Sequence, residues 1–101
     1  MQLFLENPKM IQKIVGHFGT EQKPVAGTPY LYEGSSINAL HFSAPDGVAF
    51  HVHLQLVDKA ISRYRGGGKL GPKWFGSKGC KSLPAMKMIR LLVEQYVTTK
   101  A

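Results

Sequence analysis

From Pro8 to Phe18 the apolar residues Met10, Ile11, Ile14, Val15 and Phe18 recur at helical spacing, with Lys9, Gln12, Lys13 and His17 between them. The pattern predicts an amphipathic helix opened by Asn7-Pro8, because Asn can cap free backbone N–H groups and Pro suits the first helical position. Gly19 stops it. Leu3-Phe4-Leu5 reads either as a short strand or as a staple onto this helix. Residues 20–36 are punctuated by Pro24, Gly27, Pro29 and Gly34 and read as a long loop, in which Tyr30-Leu31-Tyr32 is apolar enough to pack or to form a short strand.

The clearest β signal follows. Ala44-Pro45-Asp46-Gly47 suits a type I turn with Gly47 in the left-handed position, closing a bulged hairpin. Pairing Ala44 with Val48 sets Phe42 opposite Phe50 and Leu40 opposite Val52 on one face. The other face then carries Ser43 with Ala49, His41 with His51, and Ala39 with His53. A shift of one residue mixes the faces, so this register is preferred. Leu54 and Leu56 would extend the apolar face.

Residues 58–65 fit two periods. Val57, Ala60, Ile61 and Tyr64 have helical spacing, whereas Ile61, Arg63 and Arg65 alternate with Ala60, Ser62 and Tyr64 as in a strand. A third strand is slightly preferred, since the segment follows a strand and runs into three glycines. Ser82 caps a last helix with Leu83, Met86, Ile89, Leu92, Val93 and Tyr96 on one stripe, and Pro84 is tolerable only in its first turn. Further apolar residues, Met88 and Leu91, suggest a deep core helix. The expected fold is one α+β domain spanning residues 1–101, a two-layer sandwich. Its order is helix, β-hairpin or three-stranded antiparallel sheet, helix, with a basic Gly-rich loop before the last helix.

Charge changes the picture. The chain carries thirteen Lys and Arg against six Asp and Glu, a net charge of +7. No acid occurs between Asp58 and Glu94, a window holding nine of the thirteen cations and the only tryptophan. Residues 1–58 are net −2 (three Lys, five acids) and residues 59–90 are +9. So sharp a split implies one basic face, as in proteins that bind polyanions. Apolar content of 44% makes wholesale disorder unexpected. The single Cys80 excludes an internal disulfide. With no signal-peptide core in Met1–Glu6 and no long apolar run, a cytoplasmic, reducing location without membrane contact is expected.

The basic segment would hold phosphates through Arg63, Arg65, Lys69, Lys73, Lys78 and Lys81, with Tyr64 and Trp74 as stacking groups for bases. Lys78 and Lys81 lie just before the last helix, whose partly positive N-terminus would add free donors for phosphate. The opposing expectation is a solvated loop in which Trp74 plugs the core. Gly66-Gly67-Gly68-Lys69-Leu70-Gly71-Pro72-Lys73 is not a nucleotide-binding P-loop: the spacing is wrong, and Pro72 lacks the N–H donor. His41, His51 and His53 share one sheet face in the preferred register. They could bind zinc or divide acid and base roles on RNA, and a polar surface is the plainer reading. No cofactor or metal is implied.

In element order the chain resembles the double-stranded-RNA-binding domain, through Asn7-Pro8-Lys9, the 44–47 turn, Gly66–Gly68 and Ser77–Lys81. The resemblance implies minor-groove contacts from Lys9, Gln12, Lys13 and the turn, and phosphate contacts from Lys78 and Lys81. Three functions follow as expectations. The first is a small non-catalytic nucleic-acid-binding domain, RNA slightly ahead of DNA. The others are an interaction or inhibitor protein of a mobile element that binds an acidic protein surface, and a toxin-like ribonuclease using His41, His51 or His53.

Overall fold

The computed structural model describes residues 4–97. The elements are α1 (Pro8–Phe18), β1 (Lys23–Pro24), β2 (Leu31–Ser35), β3 (Ala39–Ser43), β4 (Ala49–His53), α2 (Leu54–Arg65), α3 (Pro72–Ser77) and α4 (Leu83–Val97). The strands form one antiparallel sheet in chain order, so β1 and β4 are its edges. This is an α+β architecture, with four strands where two or three were expected.

The β3–β4 hairpin follows the expected register throughout, from Ala39 opposite His53 to Ser43 opposite Ala49. Gly47 has φ 84° and donates its N–H to Ala44 O at 2.9 Å, and Ala44 N donates to Val48 O at 2.9 Å. That geometry is a three-residue turn with a glycine bulge. Leu40, Phe42 and Val52 are buried against the helices, while His41, His51 and His53 are exposed on the opposite side.

Three expectations are corrected. Residues 58–65 are helical, not a third strand, and Leu54 and Leu56 belong to the same helix. A strand there would set Arg63 and Arg65 on the face of Ile61. The helix instead buries Leu54, Val57, Ala60 and Ile61 and packs on α4. Second, the 20–36 loop is not wholly irregular: it contains β1 and β2, with Lys23 opposite Tyr32 and Pro24 opposite Leu31, and β2 takes up the strand alternative at Leu31-Tyr32. Tyr32 is fully buried and donates its hydroxyl to Gly19 O at 2.8 Å, fixing this segment to the end of α1. Third, residues 72–77 form a short helix, α3, that burial of Phe75 anchors. With four strands and an inserted α2, the layout resemblance to the double-stranded-RNA-binding domain does not extend to the fold. Leu3 lies outside the described residues; Phe4 and Leu5 are in no strand, and Leu5 packs on the core.

The start of α1 is held from a distance. Asn7 makes no side-chain cap to its own helix. Asp58 of α2, only 2% exposed, accepts from Glu6 N at 2.8 Å and Asn7 N at 2.7 Å. Asn7 Nδ2 donates to Asp58 Oδ1 at 3.0 Å and to Ser62 Oγ at 2.9 Å. A buried carboxylate is tolerable when its lone pairs are filled in this way. The stripe of α4 buries Met86, Met88, Ile89, Leu92 and Val93, as a deep core helix does.

Candidate functional site

The glycine run after α2 is a helix terminus. Gly66 caps α2, Gly67 at φ 85° donates to Tyr64 O at 3.0 Å, and Gly68 donates to Arg63 O at 2.9 Å. These two bonds make a Schellman motif. A second one ends α3: Gly79 at φ 82° donates to Gly76 O at 3.0 Å, and Cys80 N donates to Phe75 O at 2.9 Å. Two consecutive C-caps therefore explain four of the six glycines in the basic window without any ligand.

Between those caps the chain is pinned. Arg63 Nε donates to Lys69 O at 2.5 Å and Arg90 Nε to Leu70 O at 2.7 Å. A Cβ on Gly68 would lie 2.7 Å from Arg63 Cγ, so the arginine occupies the space a side chain would need. Arg65 Nη1 donates to Asn7 Oδ1 at 2.7 Å. Thus Arg63, Arg65 and Arg90 each tie the chain together. Tyr64 is half-buried against the core. Trp74 is also half-buried, edge-on to Phe75, with the Arg63 guanidinium 5.8 Å and the Lys78 ammonium 5.9 Å from its ring centre. These contacts are of cation–π range. Lys69 and Lys73 are exposed, on the pinned loop and on α3.

The N-terminus of α4 offers little to an anion. Ser82 Oγ already accepts from Ala85 N at 3.3 Å, and Pro84 has no N–H, leaving only Leu83 among the first three helical positions.

A groove of about 900 Å³ lies between β4 and the segment entering α4. Its floor is formed by Phe50, Val52, Leu56, Ala85 and Ile89, and its rim by Lys59, Lys78 and Lys81 with His51, His53 and Gln55. No Asp or Glu is among the described residues lining it. Lys59 and Lys78 also line a smaller cavity of about 410 Å³ beside Trp74, which Glu6 and Asp58 line with them, so the acid-free surface is confined to the groove. Lys59 was missed by sequence reasoning. It stood in the acid-free window, but its direction depends on residues 54–65 being a helix, on which Gln55, Lys59 and Arg63 recur every fourth residue.

The histidines divide. His51 Nε2 and His53 Nε2 are 3.2 Å apart at the groove, whereas His41 Nε2 sits 3.1 Å from Ser36 Oγ and does not line it. Among the described residues, no group of three or more His, Cys, Asp or Glu side chains is placed to hold a metal ion. No described helix is long and apolar enough to cross a membrane. Compared with protein-family models, curated proteins and solved structures, the chain gives no match.

Proposed function

We propose that the protein is a non-catalytic nucleic-acid-binding domain whose contact surface is the lysine-rimmed groove between β4 and α4, continued over α2 and α3. The observation that carries the proposal is the convergence of Lys59, Lys78 and Lys81, from α2, the end of α3 and the approach to α4, on one acid-free concave surface. Lysines gain from phosphate because binding releases condensed counterions; Lys81 gains most, since Lys59 and Lys78 share the smaller cavity with Glu6 and Asp58. Lys69 and Lys73 add to the same field at longer range. Arg63, Arg65 and Trp74 shape the surface more than they extend from it, since their polar groups or faces already have partners.

The test is titration of RNA and DNA oligonucleotides at several salt concentrations. Affinity that falls steeply with salt, and is weakened, with a shallower salt dependence, when Lys59, Lys78 and Lys81 are replaced together by Gln, supports this reading. Absence of binding at low salt removes it. Survival of one stoichiometric protein partner after nuclease treatment would instead favour an acidic protein as the target.

A further inference from the structure

We infer that the groove takes single-stranded nucleic acid, with a base entering it and hydrogen-bonding the free backbone edge of β4. This rests on the nucleic-acid reading above and adds what kind of nucleic acid is bound and what reads it.

The inference starts from hydrogen-bond alternation. Neighbouring pairs in an antiparallel ladder alternate between bonded and non-bonded. Ala44 N donates to Val48 O at 2.9 Å and Leu54 N to Asn38 O at 2.8 Å, which fixes the phase at both ends of the hairpin. Counting inwards, Phe42 with Phe50 and Leu40 with Val52 are the bonded pairs. Ala49, His51 and His53 therefore turn their backbone N–H groups away from β3, and Ala49 and His51 their carbonyls too. β4 is an edge strand, so no further strand meets these groups. They face the groove, which all five residues of β4 line.

The two edges of the sheet are unequal. β1 has two residues and ends in Pro24, which cannot donate to a neighbour; it is a blunted edge. β4 has five residues, no proline and no side chain of fixed charge.

Three features favour a base over a docked peptide strand. An outward N–H and C=O on one residue set a donor beside an acceptor, as the pairing edge of a base does. The edge ends at His53, where the chain turns into α2, leaving only Ala49 and His51 with complete donor–acceptor pairs, a short ladder for strand addition. The floor presents Phe50 and Leu56, half-buried, under a rim of lysines, which suits an apolar base face beside phosphates. A paired base in a duplex has no free Watson–Crick edge to offer, and its stacked faces are covered.

The experiment titrates the full chain with single-stranded homopolymer oligonucleotides, with a duplex of matched charge, and with inorganic polyphosphate. It is repeated with Ala49→Pro, which deletes one outward N–H and no ladder bond, a position an edge strand tolerates. Single strands are expected to bind about tenfold or more above the duplex, since stacking and edge contacts are available only to unpaired bases. Ala49→Pro should weaken single-strand binding about tenfold, with polyphosphate affinity unchanged. Equal binding of duplex and single strand, or wild-type affinity in a folded Ala49→Pro variant, would overturn the inference while leaving the broader reading standing. Oligonucleotides methylated on the pairing edge apply the same test to the unaltered protein, and undiminished binding there would also overturn it. An acidic peptide that binds where single strands do not would overturn it in favour of strand addition. Failure of every polynucleotide at low salt would remove the parent reading itself.

Discussion

Asp58 and Glu33 show how single residues hold distant segments of this chain. Asp58 immediately precedes the acid-free window in sequence, yet in space it holds the start of α1 through two backbone N–H groups and the Asn7 amide. Removing the carboxylate strands those donors in a part-buried site, and hydrogen bonds to a charged group are worth about 1.5–3 kcal/mol. Asp58→Ala is therefore expected to destabilise the fold by about 3 kcal/mol, read as a fall in Tm on the order of 10–20 °C. Little change in Tm would contradict the capping role. Glu33 joins strands: its carboxylate accepts from Ser43 Oγ at 2.6 Å and from Gln22 Nε2 at 2.7 Å. Those bonds, that from Ser43 first, lower its pKa from the usual carboxylate value. A group held below its unfolded value adds stability above that value and loses it as pH falls through the folded one. Thermal stability should accordingly fall with acidification through the carboxylate range, less steeply in Glu33→Gln. Parallel pH profiles for the two proteins would refute the assignment.

At the scale of elements, the decisive choice is the helix at 54–65. Both periods were present in the residues, and local propensity did not separate them. Burial separates them, because only the helix puts Leu54, Val57 and Ile61 on one side and Lys59 and Arg63 on another. The same choice makes the glycine run the C-cap of a helix. Gly67 holds φ 85°, where an L side chain costs about 1–2 kcal/mol. Gly67→Ala should lose about that much in chemical denaturation. Gly68→Ala should instead push the Arg63 side chain off Lys69 O and loosen the loop. Faster amide exchange in residues 66–71 of Gly68→Ala, without a matching loss of global stability, would verify the distinction. Equal global losses from both would contradict it.

Over the whole molecule, the basic surface is assembled from three separate elements and flanked by a sheet edge with free donors and acceptors. The side chains of Lys59 and Lys81 have no hydrogen-bond partner among the described residues, and the Lys78 ammonium lies 5.9 Å from the Trp74 ring centre. Their replacement by Gln should leave Tm nearly unchanged. It should make the plot of log affinity against log salt shallower by about 2 units, at roughly 0.7 per phosphate lost on a single strand. A Tm collapse would show that these lysines hold the fold instead. An unchanged salt slope would place the phosphates elsewhere.

Short-range periodicity by itself determined α1, the β3–β4 hairpin with its register, the start of α4 at Ser82, and the crowding of cations after Asp58. Each of these depends on neighbours within a turn or across a tight hairpin, and such constraints are written locally. Tertiary structure alone decided that 58–65 is a helix, that Tyr32 fixes the 20–36 segment to the end of α1, and that Arg63 and Arg90 tie down the glycine loop. It alone also set Lys59 beside Lys78 and Lys81 along the open edge of β4. Those outcomes depend on which face is buried and which edge is left unpaired. Both are fixed only when elements far apart in the chain compete for the same core.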